Sequence, residues 1–379
     1  MLSIADPLPL APLQEIMLRD SISVPAGGYH VEQVEIVLKQ DLAKSRVAEA
    51  WADTVAATEA LRTSFGFSNE AHLVRHAAAN FPGLEIHSAS ACIETWLDSD
   101  RYRPILIPDL VPWRMVFWPA QRRLIWTFHH ALLDGRSITR VLEAFLSCIS
   151  GQAAPLLPLS RWQAPSSESI ALATAMFCGI PAALATVEFP IDPSPPGQAT
   201  RSLGANSLTC LEAQAKRRDA SAAALVTWAW GQAISGFLGV DTVLVEQVRA
   251  GAPQPNTAGF TMNVLPLVIQ RSDAELLPAF QNQLRALRQV ESVSSGDFRA
   301  GVFPDVNASG VSTIMIEHST LAHAVGHEEM VESIKLHERR ADALMATAHL
   351  LPDFHLEVEG PHRHELLQRW IASLEQFTN

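Results

Sequence analysis

Residues 29–38, YHVEQVEIVL, alternate polar and apolar side chains over most of their length, the period of a half-buried strand. Leu42, Val47, Ala50, Trp51, Val55 and Leu61 then fall on one face of a helix over 42–61, and LRTSFGF (61–67) resumes a strand. RRLIWTF (122–128), rich in β-branched and aromatic residues, predicts another strand. Ile138, Val141, Leu142, Phe145, Leu146 and Ile149 predict a helix over 137–150, so HHALLDGR lies on a short strand-to-helix loop.

From 151 to 200 prolines gather, among them Pro155, Pro158, Pro165, Pro181, Pro190, Pro193, Pro195 and Pro196. They surround an uncharged stretch, Ile170 to Val187, at the length threshold of a membrane span. Gly179 and Pro181 interrupt it, so it reads as a buried helix followed by a turn. PIDPSPPGQ reads as a linker. Beyond 200 the pattern predicts strands at 202–212, 242–248, 261–270, 311–317 and 353–360, and helices at 219–239, 277–293 and 361–377. The helix at 219–239 is expected to end at Gly239. Both halves mix strands and helices, which predicts an α/β fold. The expected division is an N-terminal subdomain over 1–165, a proline-rich linker over 166–200 and a C-terminal subdomain over 201–379.

Composition narrows the function. Lys and Arg number 28 against 40 Asp and Glu, a net charge of −12, which excludes a dedicated nucleic-acid binder. With 48% hydrophobic and 18% charged residues, the 379-residue chain can bury a large core. Cys92, Cys148, Cys178 and Cys210 are widely spaced, so structural disulfides are not expected and a reducing compartment fits. The start, MLSIADPLPL, lacks the basic and apolar regions of a signal peptide. A cytoplasmic protein that does not enter a membrane is expected.

The residues that carry chemistry are His129, His130, Asp134 and Gly135. Chance would give HHxxxDG roughly once in a thousand chains of this composition. Adjacent residues leaving a strand point to opposite sides, so one imidazole can face a pocket and the other the interior. A histidine titrating near neutrality accepts a proton from an attacking amine or alcohol. Asp134 could pair with an arginine and shape the loop, and Gly135 could allow a tight turn or close approach of a substrate. His323 and His327, with His318 nearby, and PHRHE (361–365) read as polar loop and helix start rather than metal sites. Ser137 lacks the GxSxG elbow of a nucleophile.

FHHALLDGRS resembles the active-site motif of the condensation domains of nonribosomal peptide synthetases, within the chloramphenicol acetyltransferase-like superfamily. PLAPLQEIML (8–17), VAEAWADTVAATEALRTSF (47–65), IPDLVPWRMVF (107–117), PIDPSPPGQATRSL (190–203), VRAGAP (248–253) and GFTMNVLPLVI (259–269) resemble further motifs of that family in order. The resemblance implies two chloramphenicol acetyltransferase-like subdomains in a V with a central channel. It implies a catalytic His130, with His129 and Gly135 in the active site. Asp134 would pair with Arg62 or Arg249, and Asn263 and Pro266 would lie on a segment that latches the subdomains.

The implied reaction joins an acyl thioester, carried on the phosphopantetheine arm of a carrier protein, to an amine. No metal or cofactor of its own is implied. Basic pairs at Arg101/Arg103, Arg122/Arg123 and Arg217/Arg218 are candidates for docking the carrier. The chain departs from the family's pattern: it has only Tyr29 and Tyr102 as tyrosines, Arg136 after Asp-Gly where elongating domains have tryptophan, and no GRP in VRAGAP. These departures suggest a free-standing member with a small soluble acceptor. An ester-forming or coenzyme A-dependent acyltransferase, and an inert carrier-docking domain, are the alternatives; VEQVRAG (245–251) does not match the motif of the family's epimerases.

Overall fold

The computed structural model describes residues 8–25, 29–68, 72–78, 80–87, 92–105, 111–178, 189–192, 194–195, 197–251, 254–271, 276–293, 312–338 and 344–377. Residues 106–110 of the IPDLVPWRMVF motif, 179–187 of the apolar stretch and 252–253 of VRAGAP lie outside them. The chain forms two compact units. One comprises Met1–Trp162, Ala252–Met262 and Leu321–Ala341; the other comprises Gln163–Gly251, Asn263–Thr320 and Asp342–Asn379.

The first unit is built on a five-stranded sheet in the order Val331–Glu338, Val31–Leu38, Arg123–His129, Trp113–Trp118, Leu84–Ile86. All neighbours are antiparallel except the last pair. Val34, Ile36 and Leu38 alternate onto the face packed by the helices Lys44–Ala57 and Gly135–Ile149. Trp51 anchors that layer, edge-on to Trp113, Trp126 and Phe145 at 5.3–5.7 Å between ring centroids.

Alternation places the opposite face of the strand Val31–Leu38 in solvent, yet Gln33 is fully buried. The helix Ile93–Arg101 covers it with Asp100, and the polar groups satisfy one another there. Gln33 Nε2 donates to Asp100 Oδ2 at 3.0 Å, Thr127 Oγ1 donates to the same oxygen at 2.6 Å, and Arg114 Nε donates to Oδ1 at 2.7 Å.

Two segments expected in the C-terminal half belong to this first unit. Val331–Glu338 pairs along the whole length of Val31–Leu38. Ala258–Gly259 pairs in parallel with Leu159–Ser160. A Cβ on Gly259 would lie 2.9 Å from the carbonyl oxygen of Ser160, so only glycine lets this short segment dock.

The second unit holds a mixed six-stranded sheet in the order Asn263–Gln270, Thr242–Arg249, Thr313–Glu317, Met345–His349, His355–Glu359, Gln198–Ser202. The helices Ala222–Leu238 and Arg363–Glu375 pack on it through Trp230 and Trp370, whose rings lie 5.0 Å apart. Ala222–Leu238 ends on Gly239 at φ 69°, as expected.

One expectation changes. SLGANSLTCLE is not a strand: the strand stops at Ser202 and a helix runs Gly204–Arg217. Leu208, Leu211 and Ala215 bury one helical face, and that periodicity decides. Within the proline-rich region, Ser167–Phe177 is a helix, in keeping with the helix expected from Ile170 onward, and it adds Ala173 and Phe177 to the second unit's core. Among the described residues no helix is long and apolar enough to cross a membrane.

The Gly259 contact is with backbone, which cannot rotate away as a side chain would. Gly259→Ala should therefore lower stability by about 1–3 kcal/mol in urea unfolding. An unchanged midpoint would mean that Ala258–Gly259 is free to shift.

Candidate active site

The strand Arg123–His129 ends by handing two histidines to a single turn of 3₁₀ helix, His130–Leu132, and Asp134 then caps the helix Gly135–Ile149. The two imidazoles part as alternation requires. His129 is 1% exposed, while the His130 side chain keeps 18% of its surface in solvent.

His129 is locked. Its Nδ1 accepts from the Ala131 N–H at 3.1 Å, so the ring proton sits on Nε2, which donates to Ser21 Oγ at 2.9 Å. Ser21 Oγ in turn donates to the Tyr29 carbonyl at 3.3 Å. Burial, with repulsion from His30 and His130, pushes the His129 pKa down to about 3. Expected among the catalytic residues, His129 is a neutral strut with both nitrogens engaged, unable to take a substrate's proton.

His130 has different surroundings. Its backbone N–H donates to the His30 carbonyl at 2.7 Å, and Phe260 meets its ring edge-on at 5.7 Å. Its Nδ1 lies 2.8 Å from Glu32 Oε1, at ion-pair distance though off the line of a well-aligned hydrogen bond. The nitrogen turned away from that carboxylate is Nε2.

Asp134 was expected to pair with an arginine, Arg62 or Arg249. The structure gives it three uncharged donors instead. Oδ1 accepts from the Ser137 N–H at 3.0 Å, capping the helix, and Oδ2 accepts from the Thr261 N–H and the Thr261 hydroxyl, both at 3.0 Å. Ser137 Oγ accepts from the Gly259 N–H at 3.0 Å, and the Asp134 N–H donates to the Gly259 carbonyl at 2.9 Å. The carboxylate needs no cation, because these donors and the helix N-terminus already meet its charge. Among the described residues no arginine pairs with it. Arg62 sits on the turn Ala60–Arg62 with its main chain bonded to Glu59 and Ala78. Arg249 belongs to the second unit and binds Glu291, Nε to Oε1 at 2.8 Å.

The arginine that does support the loop is Arg75. It is 4% exposed, lies 5.1 Å over the Phe65 ring, and donates through Nη2 to the carbonyls of Ala131 and Leu132, both at 3.2 Å. Burial lowers its pKa to about 10, which leaves it charged at neutrality. Gln14 Nε2 donates to the Ala131 carbonyl at 2.7 Å.

Gly135 is the first residue of its helix. Its φ is not positive, and a Cβ there would meet nothing within 4 Å. Neither a turn nor packing requires glycine, so the open space beside the loop is the property it preserves.

His129, His130, Asp134 and Gly135 thus meet on one turn. Asn263 and Pro266 belong to the second unit. Asn263 Nδ2 donates to the carbonyls of Glu291 and Val293 at 2.9 and 2.8 Å, and Pro266 stands on an edge strand that tolerates its missing N–H. The basic pairs are partly committed: Arg103 binds Asp100, Arg123 binds Glu35 and Glu94, Arg101 donates to Gln33 and Asp98, Arg122 donates to the Lys39 carbonyl, and Arg218 lies over Phe377. Arg217 is exposed. Among the described residues no group of three or more His, Cys, Asp or Glu is placed to hold a metal. Sequence reasoning misses Glu32, Arg75, Ser21 and Thr261 as contributors to the site. Their partners are far away in the chain, and of the four only Thr261 lies inside one of the family-like motifs, GFTMNVLPLVI.

Residues 4–176 match the model of the condensation domain family. A linear gramicidin synthase chain of Brevibacillus parabrevis is 34% identical over 146 residues, covering 35% of this chain and 3% of that protein. Nonribosomal peptide synthetase 5 of Aspergillus fumigatus is 30% identical over 184 residues, 44% of this chain and 8% of that protein. The chain therefore spans a small fraction of the length of the curated relatives it matches. Among solved structures, the condensation domain from Monacolin K polyketide synthase superposes with a TM-score of 0.78 at 13% identity, covering 100% of this chain and 98% of that one. The first condensation domain of the calcium-dependent antibiotic synthetase, in complex with a substrate analogue, gives 0.76 at 17% identity, with 99% and 97% covered.

Two tests address the local geometry. Asp134→Ala should lower stability by about 2–4 kcal/mol, since it removes a helix cap and strands the Thr261 donors. Asp134→Asn, which keeps one acceptor oxygen, should lose less; equal losses would count against the three-donor arrangement. For His129, a folded pKa of about 3 against 6.5 unfolded means that stability is fully present above pH 6.5. Below that the unfolded chain takes the proton first, and stability falls by about 1.4 kcal/mol per pH unit until about pH 3. Urea unfolding of His129→Gln should show a slope shallower by that amount.

Proposed function

We propose that the chain forms amide bonds by acyl transfer in natural-product biosynthesis, because residues 4–176 match the condensation-domain model and the fold superposes on solved condensation domains throughout. The donor is an acyl thioester on the phosphopantetheine arm of a carrier protein. The acceptor is a small amine.

The observation that carries this reading is the contrast between the paired histidines. His129 is sealed and neutral; His130 is partly exposed, backed by a carboxylate at Nδ1 and set beside the open space at Gly135. In this reading the amine nitrogen attacks the thioester carbonyl while His130 Nε2 accepts the proton it sheds. The C–N bond forms, the C–S bond breaks, and the proton passes from Nε2 to the departing thiolate. His129, Asp134, Arg75 and Gln14 hold the turn that aims His130. The thioester brings its own activation, so the residues named need only position the amine and move one proton.

A second reading, transfer to an alcohol or from coenzyme A, is favoured by two structural neighbours. One is a condensation domain from a polyketide synthase, and another, the starter condensation domain of rhizomide synthetase, was solved in complex with C8-CoA.

Acyl-loaded carrier proteins and acyl-coenzyme A, incubated with the chain and a panel of amines and alcohols, decide between these by intact-mass spectrometry. Loss of the acyl group from the carrier with a matching amide is the expected result, and His130→Ala should slow it by about 10²- to 10⁴-fold. Wild-type turnover in that variant, or no product from any pair, overturns the reading.

A further inference from the structure

Period-two alternation along the first sheet strand puts residue 32 in phase with Val34, Ile36 and Leu38, the row that packs the core. Its neighbour across the sheet, Phe128, belongs to the same core. Sequence and packing both call for an aliphatic residue there, and the chain has Glu32, 2% exposed. A buried carboxylate is costly unless it is partnered. Oε1 faces His130 Nδ1 at 2.8 Å, and Oε2 has no hydrogen-bond partner among the described residues. A group kept for the fold alone would be expected to have both oxygens satisfied, as Asp134 has.

We propose that Glu32 is a positioning residue for His130. It holds the imidazole with the proton on Nδ1, leaves the Nε2 lone pair for the acceptor, and balances the imidazolium that forms when Nε2 takes the proton. A carboxylate beside the ring favours the charged form, so it also strengthens Nε2 as a base. This rests on the reading of His130 as proton acceptor. The other titratable groups around the pair differ in kind. His30, at φ 60°, is turned to Asp20 at 3.1 Å; His129 is locked neutral; Asp134 is fully bonded at its helix cap; and Glu338 stands opposite Glu32 on the neighbouring strand. None of the first three can replace Glu32 at Nδ1, because each is held by its own partners.

Two variants separate positioning from structure. Glu32→Gln keeps the shape and removes the charge. It should lower turnover about tenfold at pH 7 and move the acid limb of the rate profile down by about one pH unit. Glu32→Leu extends the apolar row. It should fold at least as stably as the wild type, with an equal or higher Tm, while losing more activity than Glu32→Gln. Nitrogen-15 NMR of histidine-labelled protein should show the neutral His130 ring protonated at Nδ1 in the wild type and redistributed in Glu32→Leu. If His130→Ala turns over normally, the reading of His130 fails whatever Glu32 does. If His130→Ala is inactive but Glu32→Gln keeps the wild-type rate and acid limb, the role of Glu32 alone is overturned. Destabilisation of Glu32→Leu together with an unmoved tautomer would make Glu32 structural and also overturn it.

Discussion

Everything around the histidines depends on the Asp134 carboxylate, which ties a helix N-terminus to a stretch of chain 127 residues away through Thr261. Three donors fix both oxygens and therefore both segments, and Gly259, which donates to Ser137 Oγ and accepts from the Asp134 N–H, closes the joint. With the helix start immobile, the turn before it is immobile too. Arg75 and Gln14 complete the job from the other side by holding its carbonyls.

The same constraint explains how two identical neighbours come to differ. His129 and His130 share a backbone, yet one is turned into a dry interior with both nitrogens bound, and the other toward partial exposure with a carboxylate behind it. Desolvation keeps the first neutral. A pair of histidines is thus two devices, one buried to set geometry and one partly exposed with a carboxylate at its Nδ1.

The strand, loop and helix around HHALLDGR are legible in the sequence because their burial patterns are local: Ile138, Val141, Leu142, Phe145, Leu146 and Ile149 line the buried face as their spacing predicts. Legibility ends where the deciding partner is remote. Nothing in the loop points from Asp134 to Thr261, so an arginine is the partner its charge suggests. Glu32 is hidden because alternation alone makes it one more polar residue in a strand; only its phase with Val34 and Ile36 marks it as misplaced. The start of Gly204–Arg217 imitates a strand because it is poor in charge, although Leu208, Leu211 and Ala215 carry a helical period. A boundary near the proline-rich region misses the true division for a topological reason: Ala258–Gly259 and Val331–Glu338 return to the first unit.

That return of Val331–Glu338 has a consequence for how the protein is made. During synthesis, the strand Val31–Leu38 can pair with Arg123–His129 as soon as the first third of the chain exists. Its other edge has no partner until some two hundred residues more have left the ribosome. For that interval a strand that ends up almost wholly buried presents an open row of backbone donors and acceptors, the kind of edge that recruits other chains. The glutamates at positions 32 and 35 lie on that edge. Their charge discourages premature pairing there until the late strand arrives to cover it.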